Sequence, residues 1–378
     1  MAATPRACSA AEASETLAVT FSAGRDYRID TLRGLLLVVM TIDHVAPPWI
    51  TRYSSETLGF VSAMEGFFIL AGYAYVLAYR RYLGQPATLW RKSLQRGLVI
   101  YGYHLFGLAI AFGVALVGWG DGGAWAERAA DAQTFGWSLV GWAAVLFYRP
   151  QYFDVLPVYV LLLLLAPALL QGLNCAGSAI WLALGSVLVW LLGQYWDPLS
   201  ALAIAVSPIL SVWPNLLTWQ LLFVLGMCCA VLPPQSPVAG WSRRPLVTAV
   251  IFGLAVLCLA ARHHVLELPP AILALFSKAN LAPLRVLNVL LLVQLGARLM
   301  AWFPLQARVA WLALLGRHSL EVFSFHILLA YAVPPLFGAP ARSDGDLLLL
   351  TAACALALIL PAGAREWADH AGRTPARV

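Results

Sequence analysis

A chain of 378 residues that is 61% hydrophobic and only 11% charged is not a soluble domain; such domains carry about twice that charged share. Its net charge of +6 lies in short loops rather than along one face, which excludes a nucleic-acid binder and reads instead as topology. The apolar runs are continuous over the ~20 residues that a bilayer crossing needs, which excludes a β-barrel with its alternating strands. The expected fold is all-α: a polytopic membrane protein of about ten transmembrane helices, both termini cytoplasmic.

In chain order, residues 1–24 are rich in Ala, Ser and Thr and hold no apolar core, so they read as a cytoplasmic tail rather than a signal peptide. A transmembrane domain over 25–364 follows, with spans near 31–50, 58–79, 97–117, 154–172, 178–195, 216–233, 246–262, 284–302, 314–335 and 346–363. Residues 365–378 form a second cytoplasmic tail. The loop after the second span, RRYLGQPATLWRKSLQR, concentrates five cations and is placed inside. Arg25 and Arg28 then lie on the same side, and the acidic DGGAWAERAADAQ lies outside. Counting 135–149 as a span would put Arg243 and Arg244 outside. As an interfacial helix it leaves them, Arg308 and the tail inside. WDPLSALAIAVSPILSVWPN and the stretch from Arg262 to Leu284 become outer surface or re-entrant elements. The six cysteines (Cys8, Cys175, Cys228, Cys229, Cys258, Cys354) show no zinc spacing and are read as packing residues, with no metal site.

The first span, LRGLLLVVMTIDHVAPPWI, carries Arg33, Asp43 and His44. Ionisable groups inside hydrocarbon are costly and mark function. Eleven residues at ~100° each return to within about 20° of the start, rising about 16 Å. Arg33 and His44 therefore share a face, with Asp30 close to it. Imidazole titrates near neutrality, so His44 suits a general base. Glu65 in the second span stands about as far from the intervening turn as His44 does and is expected to orient it. Asp43 points about 100° away and is a weaker orienter. Arg33 suits an anion near the inner face, or pairs with Asp30 three residues earlier.

Arg80, Arg81, Arg91, Lys92 and Arg96 follow from topology, with a second use in holding phosphates of a soluble anionic cofactor. The ninth span offers His326 at mid-membrane, and Arg317 expected to pair with Glu321 four residues on. Asn288, Gln220, Lys278 and Arg285 stand near the outer ends of their spans, where a polar acceptor would enter. Trp196, Trp213 and Trp219 suit sugar faces, although most tryptophans read as interfacial anchors.

Arginine, ten residues and histidine in RDYRIDTLRGLLLVVMTIDHV, followed by AMEGFFILAGY, resemble the start of the OpgC branch of the transmembrane acyltransferases. YFDVLPVYVLLLLLAP, LTWQLLFVLGM, KANLAPLRVLNVL and LGRHSLEVFSFH resemble the same branch. The resemblance implies an inner-membrane enzyme that succinylates periplasmic glucans from cytosolic succinyl-CoA, without a permanently bound cofactor. The family arginine falls on Arg33 and the family histidine on His44. Ala71-Gly72 departs from the Ser-Gly often found in related acyltransferases. The expected partners are an acyl-CoA, a periplasmic glucan and membrane lipid. Two other readings stay open from the residues: an acetyl-CoA-dependent transferase acting on another polysaccharide, and a proton- or anion-coupled transporter with Asp43, His44 and Glu65 as its relay.

Overall fold

The computed structural model describes residues 27–54, 56–116, 124–173, 176–207, 210, 214–232, 240, 244–302, 309–333 and 343–371. The expected amino-terminal tail, Trp213, Arg243, Arg308, Cys8, Cys175 and residues 372–378 lie outside them. Among the described residues all regular structure is helical. The longer helices are α1 (Tyr27–Val45), α2 (Ala63–Tyr79), α3 (Pro86–Leu116), α4 (Val155–Gly172), α5 (Ala176–Gly193), α6 (Leu216–Val231), α7 (Pro245–Arg262), α8 (Pro283–Trp302), α9 (Ala310–Arg317), α10 (Ser319–Ala332), α11 (Asp344–Ala357) and α12 (Ile359–Ala371).

Local chemistry sets their ends. Helix α1 stops before Pro47-Pro48, because the residue ahead of a proline is driven out of helical geometry. Helix α2 opens on a capping box in which Ser62 and Glu65 satisfy each other's end of the first turn. Asn215 caps α6 by accepting from the Leu217 N–H at 2.9 Å.

Five described helical segments are long and apolar enough to cross a bilayer, and a sixth crossing forms if α9 and α10 count as one broken span. The sequence led us to expect about ten. The difference has a physical basis. Helices α2 and α6 have only 17 and 16 residues, and α1 spends part of its 19 on Arg28, Asp30, Arg33 and Asp43. The stretch 135–149 holds an eight-residue helix, Trp137–Ala144, about 12 Å long and too short to cross. The break in the expected ninth span is sharp: α9 and α10 meet at 90°, with His318 out of helical geometry at the joint.

Two close crossings hold the core. Helix α1 packs most extensively on α9 and α2 on α6. At the first, a Cβ on Gly34 would overlap the Leu312 carbonyl, and one on Gly316 the Asp30 carbonyl. At the second, Gly72 faces the Phe223 carbonyl and Gly226 the Ile69 carbonyl in the same reciprocal way. Small residues on both partners let backbones touch, which is how helices associate where lipid offers no hydrophobic drive. Helix α1 is thereby fixed against the elbow, and its Arg33–His44 face turns to α10.

Candidate functional site

Arg33 and His44 share one partner helix. The Arg33 Nη2 donates to Ser319 Oγ at 2.5 Å, and His44 Nδ1 lies 3.0 Å from His326 Nε2. Ser319 and His326 are seven residues apart on α10, two turns and therefore one face. His326 is sealed from solvent, and its Nδ1 lies 2.7 Å from the Phe323 carbonyl oxygen. The two imidazoles stack with centroids 5.2 Å apart, and the Tyr152 ring packs on His44 at 4.4 Å.

The pair opens on a chamber of about 370 Å³ that is also lined by Asp43, Arg149, Tyr152, Asp154 and Lys278. Arg149 is buried, and its Nε donates to the Leu146 carbonyl at 2.8 Å. Burial pushes its guanidinium down to about 10, still charged at neutral pH. Burial, then the charge of Asp154, raises the Tyr152 phenol, so it stays a neutral donor.

Two further cavities adjoin the chamber in turn through shared wall residues. A narrow apolar slot of about 50 Å³ runs between Arg33, Arg96, Phe67 and Ser319, and shares Val155 and Phe323 with the chamber. Beyond it, a polar bay of about 410 Å³ shares Arg96 and Leu320 with the slot. Arg317, His318, Arg365 and Glu366 line that bay. Chamber, slot and bay thus follow one another along the inner face of α10.

Several expected contacts are replaced. Glu65 does not meet His44: its Oε1 is 2.5 Å from Arg285 Nε, and its Oε2 accepts from the Ser62 N–H and hydroxyl. Equal depth along two helices says nothing of direction around them, and Glu65 turns back to cap its own helix. Arg285 also bonds Glu56 at 2.6 Å, and Glu56 reaches Arg262 at 3.2 Å. The four charges alternate in sign and tie the turn after α1 to α2, α7 and α8. Arg317 does not pair with Glu321, because the elbow at His318 turns the two apart. It bonds Glu366 at 2.6 Å instead, and His318 takes the other Glu366 oxygen at 2.7 Å. Helix α12 consequently runs through the boundary expected at residue 364, and its residues 365–371 are part of the folded body.

Of the five loop cations, Arg96 alone lines the slot and bay. Arg81, Arg91 and Lys92 are exposed, and Arg80 is half-buried. Asn288 is buried and accepts from the Phe60 N–H at 2.7 Å. Gln220 bonds the hydroxyl and carbonyl of Ser186 and so joins α6 to α5. Neither lines the chamber. Trp219 is buried against Phe68, so it presents no face to a sugar. Asp30 is buried, with its carbonyl at the Gly316 crossing.

Arg149, Tyr152, Asp154 and Ser319 were missed in sequence. RPQYFD offered the signal: three ionisable or phenolic groups between an interfacial helix and an apolar span. Among the described residues no cluster suited to a metal ion forms.

A family model described as "OpgC protein" matches residues 25–370. No curated protein and no solved structure matches the chain.

Proposed function

This chain belongs to the OpgC family, and on that premise we propose that it moves a succinyl group from cytosolic succinyl-CoA to sugar hydroxyls of periplasmic glucans across a bacterial inner membrane. Membership in the family carries the coarser statement, acyltransferase chemistry on glucans. The finer one rests on a single observation: a polar bay, an apolar slot and a chamber with ionisable side chains adjoin one another through shared wall residues, and the last holds His44. That sequence of environments suits a CoA thioester, whose anionic head, uncharged arm and reactive acyl end need those three surroundings in that order.

In this reading the donor's phosphates lie in the bay with Arg96, and its arm passes Arg33 and Ser319. The thioester carbonyl then stops at the chamber. A glucose hydroxyl enters the chamber from the opposite side and gives its proton to His44 as its oxygen attacks the carbonyl. The new C–O ester bond forms and the C–S bond breaks; the leaving CoA thiolate takes the proton back from His44. Holding both substrates at one imidazole supplies much of the rate through proximity, and base catalysis adds about 10²- to 10⁴-fold. Lys278 and Arg149 suit the free carboxylate of the succinyl group, which favours a dicarboxylic donor over acetyl-CoA.

The test is direct. Purified protein in lipid nanodiscs, given labelled succinyl-CoA and a β-glucan, should form an alkali-labile glucan ester, and His44→Ala should form none while eluting as the same folded species. Transfer by folded His44→Ala removes His44 from the mechanism. Liposome flux of the anion without ester formation would move the chain to the transporter class.

A further inference from the structure

The geometry points to His326 as the residue that fixes which nitrogen of His44 is the base. This rests on the reading of His44 as proton acceptor and adds what that reading lacks, a group to set its tautomer. A backbone carbonyl only accepts hydrogen bonds. His326 Nδ1, 2.7 Å from the Phe323 oxygen, therefore carries a proton and donates it. A neutral imidazole holds one N–H, so His326 Nε2 is left as an acceptor. His44 Nδ1 lies 3.0 Å from that acceptor, so the His44 proton sits on Nδ1, and the open lone pair is on Nε2.

The chain of donors runs from His44 to His326 to the α10 backbone and ends there. A single proton moves in the reaction, from the sugar hydroxyl to His44 Nε2. The Nδ1–H stays bonded to His326 Nε2, and that bond becomes charge-assisted once His44 is an imidazolium. Histidine-based sites commonly use a carboxylate in this position. Here the carboxylate nearest in sequence expectation, Glu65, is bonded to Arg285. A neutral partner has its own advantage in a low-dielectric interior: it adds no second charge to be desolvated in the resting state. His326 acts on the proton transfer through His44 in this arrangement and is a positioning residue.

The experiment reads the tautomer itself. In protein labelled with ¹⁵N-histidine and held in nanodiscs, two-bond ¹H–¹⁵N correlations, with His44 assigned through His44→Gln, should show the His44 proton on Nδ1. His326→Leu should move it toward Nε2 and lower kcat at least about tenfold, with the donor KM within about twofold. His326→Gln, whose side-chain oxygen accepts from Nδ1–H, should recover part of the loss. The His44 proton on Nε2 in unaltered protein overturns the proposal without any variant, as does folded His326→Leu with undiminished kcat. If His44→Ala keeps transfer, the base reading itself fails; if it is inactive while His326→Leu is unimpaired, only the role of His326 fails.

Discussion

Glu65 and Arg285 form an ion pair at 2.5 Å with both side chains essentially closed to solvent, 0% and 2% exposed. Two buried charges tolerate each other at close range, but one left alone is expensive. Glu65→Ala should therefore destabilise the protein by about 3–5 kcal/mol, seen as a lowered Tm in detergent. Whatever folded fraction remains should transfer acyl groups at close to the normal rate per molecule. A normal Tm with a collapsed kcat would return Glu65 to the reaction.

His44→Ala removes the proposed base. Loss of about 10²- to 10⁴-fold in kcat is expected, with the donor KM little changed, because the chamber and slot are otherwise intact. Single-turnover assays on size-homogeneous protein measure it.

Lys278→Met should alter donor choice. A charge-assisted hydrogen bond contributes about 1.5–3 kcal/mol, so the preference for succinyl-CoA over butyryl-CoA, the same length without the carboxylate, should fall by about 10- to 100-fold. Equal losses with both donors would mean a structural role. No preference in the unaltered protein would remove the carboxylate contact altogether.

Gly316→Ala would drive a methyl group into the Asp30 carbonyl at the crossing of α1 and α9. Overpacking of this sort costs about 1–3 kcal/mol. A lower Tm is expected, and because that crossing sets the direction of Arg33 and His44, lower activity at temperatures below the Tm as well. Gly113→Ala, on α3 where a Cβ meets nothing within 4 Å, serves as the control.

Arg33→Ala opens the middle of the proposed donor path. The donor KM should rise about tenfold while the acceptor KM stays within twofold. Matching increases for both substrates would argue that Arg33 holds the helices rather than the donor.

Which of these features could be read from the residues follows from physics. The eleven-position step from Arg33 to His44 fixes a shared face by helix geometry alone, and both side chains do reach α10. Helical class was legible because continuous apolar runs leave no other regular structure. The pairing of Glu65 was not: depth along α2 can be counted, but its rotation about the axis is set by packing on α6 through Gly72 and Gly226. The Arg317–Glu366 contact was hidden because the i,i+4 rule assumes an unbroken helix, and nothing in LLGRHSLEV marks the 90° turn. Length and apolarity support five or six crossings among the described residues, fewer than expected where a run was apolar enough but short. His326 was visible as a residue, yet its partner was not, since 282 positions separate it from His44.

The slot between bay and chamber holds only about 50 Å³ and is walled by Phe67, Phe68, Ile100, Leu156 and Phe323. A hydrated cation entering it would shed water against apolar walls and meet the guanidiniums of Arg33 and Arg96, an unfavourable passage. An enzyme that joins two compartments must not short-circuit the voltage between them. In the proposed reading the idle molecule insulates the membrane, and the working one is plugged by the substrate threaded through it.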